Sequence, residues 1–285
     1  MAEEGLERMP SFLVVFLCIT RYTEIRYGNT RGEVHSMESK PTAATAQSAL
    51  QSWLETRMDW AGAAQFGSLS VCAGIAGALG LVLGEHVFAN AQTGNLLGLA
   101  FDVKAGNWPG ALARLGAVAL YLAGIVMTVR MPQRVFHGKL RRWQCCCLLI
   151  ETALFALQAF LPWGTLAAVS PALALWPVFF ASALQYNTFN IRYGVGVSTL
   201  FSTNNLRQLA LHGLAWRDSG SRRELRIMGL YGTAVAGFWL GALAGLFLCD
   251  RLGARAMLFC AAITLANWAA LVLTAGKTAP APPVC

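Results

Sequence analysis

Long stretches of this chain carry no charge. None falls between Ala61 and Gly84, Leu115 and Thr128, Ile227 and Cys249, or Ala256 and Gly276, and Glu151 is the single charge between Trp143 and Ile191. A helix crossing the hydrocarbon core of a bilayer needs roughly 20 apolar residues. The five stretches predict six spans, at about 61–83, 110–130, 143–162, 170–189, 226–248 and 255–275, because the 143–191 stretch is long enough for two helices. Pro162-Trp163-Gly164 ends the first helix of that stretch. Ser170-Pro171 starts the second, with serine as the cap and proline at the first turn, where its missing N–H costs nothing. The uncharged link between them predicts a tight antiparallel hairpin.

Composition agrees. Hydrophobic residues make up 56% of the 285 residues and charged residues 13%, against about a quarter in a soluble domain. Trp60, Trp108, Trp143, Trp163 and Trp216 fall at or near the ends of the spans, where amphipathic rings settle at headgroup depth. The net charge of +8 sits in short connecting loops; it sets orientation and does not point to nucleic acid. Most of the eight cysteines lie in or beside spans, and none forms a metal-spaced CxxC pair. Cys145–Cys147 follow a basic loop, but a small apolar packing role accounts for them better than acylation. Residues 1–58 read as a poorly ordered polar tail and 277–285 as a second tail. The apolar run 12–19 is too short to span and lacks a basic lead, so it is not expected to be a signal peptide. Met37 opens a second polar start, which makes 1–36 a candidate upstream extension.

Between the first two spans lies Val87-Phe88-Ala89-Asn90-Ala91-Gln92-Thr93-Gly94-Asn95-Leu96-Leu97-Gly98-Leu99-Ala100. At a shift of 110 residues, six of these fourteen positions recur unchanged in 197–210: Val197, Thr203, Asn205, Leu206, Leu209 and Ala210. Further on, Gly116, Ala123 and Gly124 match Gly229, Ala236 and Gly237 at a shift of 113. The membrane part, 59–276, therefore reads as two repeats, 59–163 and 168–276. Each repeat carries three spans and a short segment that is helical over about 94–101 or 204–215, with Thr or Asn available as its N-cap. If these short helices enter the bilayer without crossing it, the basic loops 130–142 and 217–226 fall on one side, and only Lys104, Arg251 and Arg255 on the other. The positive-inside bias then puts both termini in the cytoplasm. With three spans each, the halves are inverted. The expected fold is an all-α integral membrane protein with six transmembrane helices in two inverted three-span repeats, each with a short re-entrant or half-helix. Gly237, Gly241 and Gly245 give the fifth span a small face, and Gly67, Gly74 and Ala78 the first. This suits packing inside the bundle and leaves a homo-oligomer open.

Phe88 with Thr93-Gly94-Asn95 and Gly98, and Leu184-Gln185-Tyr186-Asn187 with Ser198-Thr199 and Thr203-Asn204-Asn205-Leu206, resemble the YoaK-like family of multi-pass membrane proteins, the domain of unknown function 1275. The resemblance covers roughly 60–275 and implies six spans and a membrane location more than an activity. Two departures stand out: Gly77 where the family often has Asp, and Thr203-Asn204 where Thr-Gly is commoner.

The candidate chemistry lies in polar residues set among apolar ones. Glu151 sits at bilayer depth, where a charge costs a few kcal/mol or more; it suits proton or cation coupling, or a neutral packing contact. Arg207, one turn into the second short helix, is a candidate partner for Glu151 or for an anion at a helix start, or an interfacial arginine. Thr93, Gly94, Asn95, Thr203, Asn204 and Asn205 could line a pathway or simply cap turns. Gln185 and Asn187 add polar groups near the end of the fourth span. Glu85-His86 reads as an interfacial turn. No GxSxG, HExxH, Walker or GxGxxG motif is present, so neither an enzyme nor a cofactor or metal site is expected. The expected role is a small-solute or ion permease of the cell membrane, with a non-transporting scaffold or partner-binding protein as the alternative. The expected partners are the lipid bilayer and an unidentified small solute or ion.

Overall fold

A computed structural model describes residues 60–192 and 195–274. These all belong to one unit, Thr45–Cys285. The expected tails at 1–58 and 277–285 lie outside the described residues.

The chain runs through α1 (Trp60–Val82), α2 (Gln92–Ala105), α3 (Trp108–Arg134), α4 (Leu140–Phe160), α5 (Trp163–Val169), α6 (Pro171–Ala174) and α7 (Trp176–Thr188). A two-residue hairpin, β1 (Ile191–Arg192) with β2 (Val195–Gly196), leads to α8 (Ser202–Ser219) and α9 (Arg222–Leu252). A 3-10 turn, Gly253–Ala256, leads to α10 (Met257–Leu273). Among the described residues, four helical segments are long and apolar enough to cross a membrane: Gly62–Val82, Trp108–Arg134, Leu140–Phe160 and Arg222–Leu273. The last has 52 residues and runs through α9, the 3-10 turn and α10. At 1.5 Å per residue that is about 78 Å, more than twice the hydrocarbon thickness.

The expected span 170–189 is not one helix. Its start matches expectation: Ser170 caps Pro171 and accepts a hydrogen bond from the Ala172 N–H at 3.3 Å. After four residues the helix breaks at Leu175, and α7 begins with Pro177 in its first turn. Pro177 has no N–H for the ladder, and its ring crowds the preceding turn. The 13 residues of α7 reach only about 20 Å. The link 161–169 also differs, since most of it is the seven-residue helix α5.

Contacts between the long helices fix their relative directions. Gly67 of α1 backs onto Thr233 and Gly237 of α9, Gly74 onto Phe238, Gly241 and Ala242, and Ala78 onto Gly245, so α1 and α9 are parallel. A Cβ at Gly74 would collide with the Phe238 carbonyl and one at Gly241 with the Val71 carbonyl; the backbones touch because side chains are missing. α3 and α7 are parallel in the same way. Gly116 lies on Trp176, Gly124 on Phe180 and Ala183, and Trp176 Nε1 donates to the Ala113 carbonyl at 3.0 Å. α10 runs against α1, through Cys72 with Cys260 and Ser68 with Asn267. α4 runs against α7, through Trp143 Nε1 to Thr188 Oγ1 at 3.0 Å, while Gln158 at its other end donates to the Ala174 carbonyl in α6 at 2.9 Å. α4 and α10 are antiparallel, joined by Thr152 to Thr264 at 2.8 Å and Arg141 to Thr274 at 3.0 Å.

The bundle therefore has two ends. One gathers the starts of α1, α4 and α9 with the finishes of α3, α7 and α10; Trp143, Leu148, Leu184 and Phe189 form its core with Met131 and Leu271. At the other end, Leu79, Ala113, Ala159, Leu175, Ala256 and Met257 pack together.

The surface is apolar and the interior holds polar groups. Leu97, Phe101, Leu112, Phe160, Trp239 and Phe247 are exposed, while Asn95, Glu151, Gln158, Gln185 and Thr264 are buried. Water would oppose both features, and lipid accepts the first while protein partners meet much of the second.

Candidate functional site

The two short helices start earlier and run longer than expected, and their capping is different. Residues 91–100 and 201–210 have the same sequence of helical states and the same sequence of buried and exposed positions. The N-caps are Ala91 and Phe201, without side-chain capping, and the Thr and Asn residues lie inside the first turns. The reason is that the two asparagines reach back instead. Asn95 Nδ2 donates to the Phe88 carbonyl at 2.7 Å and to that of Ala91 at 3.2 Å. Asn205 Nδ2 donates to the Ser198 carbonyl at 2.6 Å, and its Oδ1 accepts from the Ser198 N–H at 3.1 Å. Each side chain clamps a carbonyl seven residues earlier, at the same shift of 110. Both are wholly or almost wholly buried.

Each clamp holds an irregular arm in front of its helix. After α1 the chain turns through Glu85 and His86, both with left-handed backbone at φ 47° and 65°, which makes them a turn. The arm then lies on α1: the Val87 carbonyl sits where a side chain on Gly80 would be, and Asn90 Nδ2 reaches the Ala73 carbonyl at 3.4 Å. α2 returns to Gly106, beside the start of α3. The second arm leaves the opposite end of the bundle, where Val197 packs with Phe66 and Ile227. Gln185 donates to Thr199 Oγ1 at 3.0 Å and to the Leu69 carbonyl at 3.1 Å, and Phe201 packs edge-on against Tyr186 at 5.2 Å. α8 returns to Gly220, beside the start of α9. Each arm and its helix thus begin and end at one end of the bundle.

The tips of the two arms face one cavity. Phe88, Asn90 and Ala91 from the first, and Leu200 to Thr203 from the second, border a cavity of about 310 Å³ against α1 and α9. Gly74, Gly77, Ala78 and Leu81 line it from α1, and Phe238, Ala242 and Leu246 from α9. No charged side chain lines it; Asn90, Ser202 and Thr203 supply its polar groups.

Of the residues expected to line a pathway, Thr203 borders this cavity. Asn95 and Asn205 stand behind it as clamps. Thr93, Gly94, Asn204 and Arg207 are exposed on the short helices. Asn187 donates to the Ala183 carbonyl at 2.9 Å. Glu151 is wholly buried elsewhere: its Oε1 accepts from Cys147 at 3.2 Å, and Oε2 has no hydrogen-bond partner. Glu151 and Arg207 do not form an ion pair. The six described cysteines are free.

One ion pair and one carboxylate–histidine pair escape a search for isolated charges in spans, because they sit at span ends. Asp102, the eleventh residue of α2, holds Arg114 of α3 at 2.7 Å, with Asn107 donating to its other oxygen at 3.0 Å. Gly98 leaves the space that the Arg114 guanidinium occupies. His212, the eleventh residue of α8, meets Glu224 of α9 at 2.5 Å. Both pairs are twelve residues apart and both tie a short helix to the next long one, with acid and base exchanged. Glu224 precedes the uncharged run 227–249. Its hydrogen bond with His212, opposed by partial burial and aided by the charges of His212 and Arg223, holds its carboxyl below the ordinary carboxylate range. The recurrence of 102 and 212 at the shift of 110 was the available signal.

The family model described as Protein of unknown function (DUF1275) matches residues 66–271, and the chain belongs to that family. No curated protein and no solved structure matches it.

Proposed function

We propose that this protein is a small-solute permease of the cell membrane, built from six spans in two inverted halves, with both termini in the cytoplasm. One observation carries the reading: two arms that leave opposite ends of the bundle meet at a shared cavity. Opposed segments of irregular backbone are tolerated at membrane depth where they line a site.

Several features support the inversion. Exchanging the halves turns the parallel pair α1 and α9 into α7 and α3, and the antiparallel pair α1 and α10 into α7 and α4. Gly237 and Gly124, which match in sequence, serve equivalent pairs. In this reading α7 crosses with α6 as its extension, and α9 and α10 each cross once. The basic loops 130–142 and 217–226 then share an end with Trp60, which supports a cytoplasmic N-terminus.

Proteoliposomes test the permease. Shrinkage after an osmotic step, followed by light scattering over a panel of uncharged solutes, is expected to be faster than in protein-free vesicles for at least one of them, and Gly77→Leu is expected to abolish the gain. Rates equal to those of protein-free vesicles across the panel sink the permease and favour the scaffold alternative. Reporter fusions test the topology. Those joined after His137 and Ser219 are expected to read cytoplasmic, and those after Gly106 and Gly253 external; opposite readings for the first two would end the six-span inverted arrangement.

A further inference from the structure

We propose that the cavity between the arms takes a small uncharged molecule, or part of one, with an apolar body and a hydrogen-bonding end, and that it does not take an ion. This rests on the permease reading for its role in flux but not for its chemistry.

The walls are Phe88, Leu200, Phe201, Phe238, Leu246 and glycine or alanine positions of α1 and α9. A bare ion there would lose its hydration shell to hydrocarbon, at a cost far beyond what scattered dipoles return. An ion site at this depth is built from converging carbonyls or opposite charge. Here the carbonyls of Phe88, Ala91 and Ser198 already accept hydrogen bonds from Asn95 and Asn205. The buried carboxyl of Glu151 is not among the lining groups. What remains for a ligand is an apolar volume with few polar groups: the Asn90 amide, whose Nδ2 reaches the Ala73 carbonyl at 3.4 Å, and the hydroxyls of Ser202 and Thr203. A volume of about 310 Å³ lies at the small end of ligand sites. Two sources could supply such a group, a free solute or a lipid acyl chain with its ester.

Gly77 allows a test that leaves the helix contacts alone. A Cβ there meets only Asn90 Nδ2 at 3.6 Å and the Phe238 ring at 3.9 Å, whereas one at Gly74 strikes backbone. Gly77→Leu therefore fills the cavity, and Gly77→Ala is the folding control. The full-length protein in phosphatidylcholine nanodiscs is titrated with radiolabelled indole, with tryptophan (the same ring carrying charges) and with rubidium ion. Saturable indole binding is expected, retained in Gly77→Ala and weakened at least tenfold in Gly77→Leu, with no saturable binding of the other two. Quantified co-purified lipid separates the sources: one lipid per protein, lost in Gly77→Leu and displaced by indole, identifies an acyl chain, and indole binding without lipid release identifies a free solute. Folded wild type without saturable indole binding overturns the proposal, as does indole binding unchanged in Gly77→Leu. So does saturable tryptophan or rubidium binding that Gly77→Leu removes. Indole binding without solute flux removes the permease and leaves the ligand class standing; rubidium flux removes the class and leaves the permease.

Discussion

Asn205 shows why a polar residue in an apolar neighbourhood need not be a ligand group. Its side chain occupies both polar groups of Ser198, whose backbone has no helical or sheet partner at that point. An unpaired buried N–H or carbonyl is expensive, so truncation exposes the cost of both. Asn205→Ala is expected to lower stability by about 2 kcal/mol, read as a fall in the thermal unfolding midpoint in detergent; Asn95→Ala follows the same logic at Phe88. An unchanged midpoint would mean that the clamps are dispensable. Glu151 is a different case. One oxygen meets Cys147, the other has no hydrogen-bond partner, and among the described residues no cation pairs with it. Glu151→Gln keeps the shape and is expected to fold in wild-type yield, whereas Glu151→Lys brings in a charge without a partner and is expected to lose most of the folded protein. Size-exclusion profiles of the two variants decide this.

At the scale of elements, each short helix is tied to the next long one by a charged contact as well as by packing, while part of its apolar surface points outward. Leu96, Leu97 and Phe101 of α2, and Leu206, Leu211 and Leu214 of α8, are exposed. Arg114→Leu leaves the Asp102 carboxylate almost buried and unpaired, and is expected to cost about 3 kcal/mol; adding Asp102→Asn should restore most of it. A double variant no better than the single one would show that the pair is not what holds α2. The second pair adds pH dependence. Because the folded-state carboxyl of Glu224 titrates below its ordinary value, its contribution is present above the unfolded-state pKa of about 4.3 and is lost as pH falls through the folded value. Hydrogen exchange over 202–219 is expected to accelerate as pH falls through that range, after correction for intrinsic rates, and over 92–105 to change less. His212→Ala should remove the difference. Equal pH responses in the two helices would leave the Glu224 pair without a role.

Across the whole molecule, close backbone contact between α1 and α9 is the largest structural commitment. Gly241→Leu is expected to destroy folding, because the Val71 carbonyl occupies that space, while Gly94→Ala is expected to be neutral or slightly stabilising, since nothing lies within 4 Å of it. Similar yields for the two would contradict the parallel packing. The same contact brings α9 from the second half against α1 from the first, so the cavity belongs to neither half alone.

Much of this architecture was legible in the chain. Runs without charge placed the long helices, because a helix in lipid must exclude charge along its whole length. Ser170-Pro171 marked a helix start through local chemistry, and the shift of 110 marked the two arms. The break before Pro177 was also open to local reasoning, yet the apolar run hid it, since hydropathy is blind to a missing N–H. Other features depended on tertiary structure. Whether Asn95 and Asn205 face a solute or a backbone carbonyl depends on the fold of the arm seven residues earlier. That Asp102 finds Arg114 and His212 finds Glu224 depends on two helices meeting. The cavity, with Thr203 at its edge and Glu151 outside it, exists only where segments more than a hundred residues apart converge. Composition and periodicity report the solvent each residue meets, and only the assembled backbone decides which residues meet one another.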